Sequence, residues 1–482
     1  APSATEATDQ AAAGEQANAA LLSTATAMAC ALILLHPICV ESVVWVTGRK
    51  DVLAALFVVA ALLVDDRRIG TGEGARRSSE VTPRPTTPPK TMWRWRAMAP
   101  GLLLFVCAVL TKTSALCYPV VLVAWLRFVR KLDWRNAMAA VWLHAVVAGA
   151  VAYDVVRIWS TNQMIGQVRP AGLWLDVPAS YGVYARHWLW PVDLAAVYPL
   201  EPAGFGAGGV AVLLLAAALV GLWSRLPGMA RFWVVATVAA LAPVVNVIPV
   251  YYRYSDRYAF LAWILAIAPL AAALVQAQRV LRDRRIRAAL LAVVLGLGAA
   301  LGALTYRQAG TWSDSMTLWE WNTRAQPDGF WARMKYGETL RDAERWSEAA
   351  THYQAAIRLR RDTAFGYVGL FYCYARQAES EGLVTSGRPD RWLQKVGDAL
   401  RSARTLRQLR AEVQGAGCVR CARILLLLEL RRWPPDDEEL LAHASRALAD
   451  GRRQVALIYL NEVNDRRHKD FASLWRQAVG ER

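Results

Sequence analysis

Long apolar runs separated by short polar segments fill the chain up to about Tyr306. A helix that crosses a bilayer needs ~20 apolar residues. On that measure the pattern predicts helices over 19–36, 52–64, 97–111, 114–129, 138–156, 207–223, 232–250, 259–277 and 288–306. The runs at 52–64 and 97–111 are short, so they should borrow neighbours such as Val43 to Val46 or pack inside the bundle. After Tyr306 the chain turns charged, Arg-rich and helix-forming, with no run long enough to span. The expected fold class is all-α. A multispanning membrane helix bundle of roughly nine spans would be followed by a soluble α-solenoid. The expected division is a polar segment at 1–18, a membrane domain at 19–307 and a helical domain at 308–482.

The charges between the runs give an orientation. Segments 65–96, 127–135, 224–231 and 278–287 are rich in Arg and Lys and alternate in the order expected of cytoplasmic loops. Opposite them fall 37–51, the turn near Lys112, 157–206, 251–258 and everything after Tyr306. Insert 65–96 is rich in Pro, Thr and Arg and is expected to be a flexible cytoplasmic loop. Segment 157–206 is rich in Trp and Tyr, which suits a helix lying at the external interface.

Composition agrees with a membrane portion: of 482 residues, 55% are hydrophobic and 20% charged. The net charge of +17 is spread through short inter-span loops, as topology demands, so no nucleic-acid partner is expected. Seven cysteines are an odd number, and four of them lie in or beside apolar runs, which is no disulfide framework. Cys418 and Cys421 form a lone CxxC, read first as packing residues on a helix, with a disulfide open if the domain is extracytoplasmic. Residues 1–18 lack a basic n-region and are no signal peptide. They read as a loop or as the cut edge of a longer protein.

Phe330 to Arg361 carries a repeat pattern. Tyr336, Gly337, Leu340, Ala349, Tyr353 and Ala356 fall at the offsets where a tetratricopeptide (TPR) repeat places its large–small packing pairs. A second, degenerate copy is expected over 439–463. Such a solenoid offers a concave surface for a protein or peptide; the alternative is a lid that caps the membrane domain.

Four polar places stand where a plain anchor needs none. In "LHPICVESVVWVTGRKDVLAALF", His36-Pro37 ends a run, and Glu41, Arg49, Lys50 and Asp51 follow before apolar character returns. This is either a hydrated hairpin, with Asp51 as an N-cap, or a working site at the membrane surface. Lys112 sits between two runs without an acidic neighbour in sequence; it marks function or snorkels to the interface. In "PVYYRYSDRYAF", Arg253, Asp256 and Arg257 lie among four tyrosines. Arginine there suits a phosphate, and tyrosine a sugar or prenyl chain; the alternative is an aromatic belt with an Arg–Asp pair. Arg186, His187, Asp193 and Tyr198 form the fourth group and read mostly as interfacial anchors.

Together these segments resemble a family. "HPICVESVVWVTGRKDVLAALF" resembles the HP-x-x-x-E-(S/A)-V segment, closing in R-x-D-L, of the transmembrane-and-TPR O-mannosyltransferases and their bacterial relatives. "LWPVDLAAVYP" is similar to their WP-x-x-L-x-x-x-YP segment, and "YSDRYAFLAW" to their (D/E)-R-Y signature. "TWSDSMTLWEWNTRAQPDGFWARMKYGETL" resembles their junction into TPR repeats. The family is similar to the GT-C glycosyltransferases, which move a sugar from a polyprenyl-phosphate carrier on the extracytoplasmic face. The resemblance implies an integral protein of a bacterial inner membrane with its TPR-like domain outside the cytoplasm. It implies a lipid-linked sugar donor as substrate and a protein or glycan acceptor presented by the TPR domain. Glu41 and Asp51 would be the catalytic acids. Arg49, Lys112 and Arg257 would hold the lipid phosphate, and His36, Tyr254, Asp256 and Tyr258 would complete the substrate-binding set. Transfer needs a base for the acceptor's proton and cations for the leaving phosphate.

One departure matters. The family's acidic residue in a first external loop has no counterpart, so two spans and that loop are expected to be missing from this sequence. It is then a piece of a longer enzyme or an inactive relative. No DxD-type pair lies in the external segments, so no metal is assigned. A non-enzymatic membrane scaffold whose TPR-like domain docks partners is the competing expectation. A transporter needs a polar pathway, and few ionisable residues fall within the predicted spans apart from Asp154.

Overall fold

A computed structural model describes residues 4–74, 95–161, 170–199, 207–245, 254–281, 283–360, 364–380 and 436–480. Every regular element among them is helical. The chain divides into two compact units, Ala1–Gln326 and Pro327–Arg482. Cys418, Cys421 and Arg253 lie outside the described residues.

The first unit opens with α1 (Ala4–Leu34), α2 (Val40–Val44), α3 (Arg49–Gly74) and α4 (Trp95–Thr111). It continues with α5 (Tyr118–Ala124), α6 (Trp134–Ala139), α7 (Trp142–Thr161), α8 (Pro170–Leu189), α9 (Ala207–Gly221) and α10 (Gly228–Leu241). It closes with α11 (Phe260–Ile264), α12 (Ile267–Val280), α13 (Arg284–Gly310) and α14 (Ser315–Ala325). Among the described residues two helices, α7 and α13, are long and apolar enough to cross a membrane. The number rises to four if each of two bent pairs is one span: Asn18–Leu34 with Pro37–Val44, bent by 64°, and Asp256–Ile264 with Ile267–Val280, bent by 48°.

Packing in this unit relies on small residues. Ala55, Ala61, Ala108, Ala124, Ala236, Ala240 and Ala262 are all buried in one core with Val58, Phe105, Tyr118, Leu122, Phe232 and Phe260. Alanine at a helix contact lets backbones approach, which is how helices associate where lipid tails remove the hydrophobic drive. The outward faces are apolar instead: Leu213, Leu214, Leu215 and Val220 on α9 and Val293 and Leu295 on α13 are exposed. Such a surface suits lipid rather than water.

The polar segments depart from the expected loops. Residues 37–48 form short helical turns, with His36, Glu41 and Asp51 at most 4% exposed. A hydrated hairpin is therefore excluded. Asp256–Ala259 is likewise one helical turn leading into α11. Helix α3 runs on to Gly74, so residues 65–74 are not loop. Asp65 and Asp66 find partners on other helices. His144, inside the 138–156 run, is fully buried. That run breaks at Ala140–Val141, where α6 ends; Asp133 caps the start of α6 by accepting from Asn136 N.

Every regular element among the second unit's described residues is a helix. In α15 (Phe330–Asp342), α16 (Trp346–Leu359) and α17 (Ala364–Ser380), Gly337, Leu340, Ala349, Tyr353 and Ala356 are buried. A Cβ at Gly337 would stand 3.1 Å from the Tyr353 ring, and one at Gly369 would overlap it. Tyr353 thus fits a slot that only two glycines leave open. Farther on, α18 (Asp437–Ala449), α19 (Arg453–Glu462) and α20 (Phe471–Val479) enclose Leu440, Ala444, Ala456, Leu460, Val463 and Phe471. Asp436 caps α18 through Glu439 N, and Gly480 ends α20 with φ 87°.

Candidate functional site

The site is built on the break after α1. Pro37 cannot donate a helical hydrogen bond, so carbonyls ahead of it lose partners. Two of them accept from other elements. Trp263 Nε1 donates to Ile33 O at 2.9 Å, and Thr305 Oγ1 donates to Leu35 O at 2.6 Å. His36 braces the corner: Nδ1 accepts from Ile38 N at 3.2 Å, while Nε2 donates to Trp188 O at 3.1 Å. Both ring nitrogens are engaged, which leaves neither for a substrate in this conformation.

The bend carries Glu41 to the segment before α11. Its carboxylate accepts from Ser255 Oγ at 2.7 and 2.9 Å, from Arg257 N at 3.0 Å and from Arg257 Nη1 at 2.9 Å. Glu41 is 4% exposed and Arg257 15%. Gly48 makes the turn possible, because a Cβ there would stand 2.6 Å from Glu41 O. Glu41 spends its lone pairs on Ser255 and Arg257 and so acts as the support of a cation. Arg257 retains Nε and Nη2, and its guanidinium lies 4.6 Å over the Trp45 ring and 5.2 Å over the Tyr258 ring.

A second ion pair stands beside the first. Asp51, in the first turn of α3, pairs with Lys112 at the end of α4. Lys112 Nζ also lies 5.6 Å over the Tyr258 ring. Two cations thus stand against one aromatic ring, each neutralised by its own buried carboxylate. Asp51 Oδ2 is buried without a hydrogen bond among the described residues. Arg49 is not drawn in; it is exposed at the start of α3.

Asp256 takes a different set of partners from Arg257. Its Oδ1 accepts from His187 Nδ1 and its Oδ2 from Tyr198 OH, both at 2.8 Å. Tyr198 OH in turn accepts from Ala195 N at 3.0 Å. Tyr254 packs with Tyr198 and Ala195, edge-on to Tyr184 at 6.5 Å. Of the four residues read mostly as anchors, His187 and Tyr198 therefore belong to the polar cluster, while Arg186 and Asp193 are exposed. Asp193 has φ 61°, a left-handed conformation that Asp tolerates.

Sequence reasoning missed Ser255 and Trp45 in this site. It also missed a second cluster lower on α3. Fully buried Asp65 accepts from Tyr118 OH at 2.7 Å and faces His144 Nε2 at 3.4 Å and Arg68 at 3.6 Å. Next to it, Asp66 takes Trp125 Nε1 at 2.7 Å and Arg130 at 2.5 Å. The signal available was a histidine within an apolar run, which membrane energetics disfavours unless it has a partner. Among the described residues no three His, Cys, Asp or Glu side chains group as a metal site requires. No protein-family model matches the chain, and no curated protein matches it.

Proposed function

We propose that the chain is a GT-C type membrane glycosyltransferase that moves a sugar from a polyprenyl-phosphate donor to a protein or glycan acceptor on the extracytoplasmic face. The observation that carries this reading is the pair of cations over Tyr258. Arg257 and Lys112 reach one ring from two elements, each held by a buried acid and each partly open to its surroundings. That is what a phosphate leaving group needs: fixed positive charge in a site poor in water. Trp45 and Tyr258 offer aromatic surface for sugar or prenyl carbons. In the same reading the apolar helices of the first unit make roughly nine spans, and hairpins α15–α16 and α18–α19 are TPR-like repeats that select the acceptor. The test is transfer of mannose from polyprenyl-phosphate mannose to a hydroxyl peptide by the reconstituted full chain. Arg257→Ala should lower transfer by about 100-fold. Equal rates in wild type and variant would remove the assignment.

The Tyr353 slot between Gly337 and Gly369 supports a second reading, a membrane-anchored scaffold that docks proteins through the repeat surface. Partner capture that persists in an Arg257→Ala chain, with no transfer by wild type, would favour it.

A further inference from the structure

His187 and Asp256 have the arrangement of a base and its orienter, and nothing in the phosphate-binding half of the site requires them. Asp256 accepts from Nδ1 at 2.8 Å, which fixes the proton on Nδ1 and leaves the lone pair on Nε2. Tyr198 OH pins the other carboxylate oxygen at 2.8 Å, and its ring lies 4.9 Å from the imidazole. No described residue hydrogen-bonds Nε2. His36, the neighbouring imidazole, differs on this point, since both its nitrogens are spent on backbone. Asp256 and Arg257 are successive residues, so the imidazole and the cation pair are tied to one helical turn. Glu41 is bound four times over and Asp51 is paired with Lys112, so neither acid is as free to take a proton as Nε2.

We propose that His187 is the general base of the transfer, held in its working tautomer by Asp256 and Tyr198; this rests on the glycosyltransferase reading. The acceptor oxygen forms a bond to the anomeric carbon while the bond from that carbon to the donor's phosphate oxygen breaks. The phosphate keeps the electron pair beside Arg257 and Lys112, and the acceptor's proton passes to His187 Nε2. Asp256 and Tyr198 are positioning residues. The titratable groups that interact with the imidazole among the described residues are Asp256, Tyr198 and His36; Glu41 and Arg257 belong to the neighbouring ion pair.

The test uses the reconstituted full chain, polyprenyl-phosphate mannose and a hydroxyl peptide, with donor binding measured separately from transfer. His187→Gln should bind donor as wild type does and transfer about 10²–10⁴-fold more slowly. It should also lose the acidic limb of the pH–rate profile that a neutral imidazole produces. His187→Ala should regain part of its rate with added imidazole, an outcome that a misfolded or merely loosened variant cannot give. Asp256→Asn, which favours the other tautomer, should lower transfer and leave donor binding intact. A His187→Gln chain with wild-type rate and pH profile would overturn the base and leave the transferase standing. A wild-type chain that neither binds donor nor transfers would overturn both.

Discussion

Removing Glu41 should cost more than removing the arginine it holds. At 2.9 Å, the Glu41–Arg257 pair has a Coulomb attraction of about 6 kcal/mol at an effective dielectric constant near 20. Desolvation of both ions offsets much of it. What survives is the penalty for a lone partner, about 3–5 kcal/mol for a buried pair broken on one side. Arg257→Met leaves Glu41 with Ser255 Oγ and Arg257's own backbone N–H still in place. Glu41→Gln turns an amide nitrogen toward one of those donors and strands it, adding about 1–2 kcal/mol. The double variant removes both charges and should be less destabilised than the sum of the singles by at least about 2 kcal/mol. Reversible unfolding of the purified chain in mixed micelles, followed by tryptophan fluorescence, gives all four corners of the cycle. Additivity within about 0.5 kcal/mol would refute the clamp, as would an Arg257→Met chain less stable than Glu41→Gln.

Three further outcomes are expected. Gly48→Ala places a methyl group 2.6 Å from Glu41 O; it should destabilise the chain by about 1–3 kcal/mol and weaken polyprenyl-phosphate binding, both read on one preparation. Asp65→Ala strips the acceptor from Tyr118 OH, the counter-charge from Arg68 and the carboxylate that faces His144. It should cost about 3 kcal/mol yet leave donor affinity within twofold in a binding titration. Asp437 accepts from Asn464 N and Asp465 N, which holds its carboxyl below the usual carboxylate range. A depressed folded value means the stabilisation is present above an unfolded value of about 3.9 and is lost as pH falls through the folded one. Asp437→Asn should therefore lower the melting temperature near pH 7 and make no difference near pH 2, as calorimetry of the full chain can check.

The apolar runs announced the helices because burial in lipid or in a helix bundle leaves a compositional trace over every residue involved. The break at His36-Pro37 was legible for a local reason, the ring of proline. Partner choice was not. Glu41 and Arg257 are 216 positions apart, and no periodicity links them. Asp65 and Asp66 read as loop because two acids in sequence look solvated, whereas Tyr118, Trp125 and Arg130 supply what water would. His187 read as an interfacial anchor since its aromatic neighbours are ordinary at an interface; only the distance to Asp256 separates an anchor from a dyad. Lys112 shows the same limit in reverse, lacking an acid nearby in sequence and having one across the helix pair.

Helix α3 carries a buried acid near each end of its apolar stretch, Asp51 and Asp65, fourteen positions or about 21 Å apart along the axis. Each is pinned to a different element, the first to Lys112 and the second to Tyr118 and His144. A slide by one helical turn, about 5.4 Å, would break both attachments at once, and a rotation would pull both acids from their partners. Helix α3 is therefore a tie rod of fixed length between the two clusters. Any opening of this unit must come from elements that pivot on it, above all the bent α1–α2 corner, while the rod itself keeps Lys112 in place.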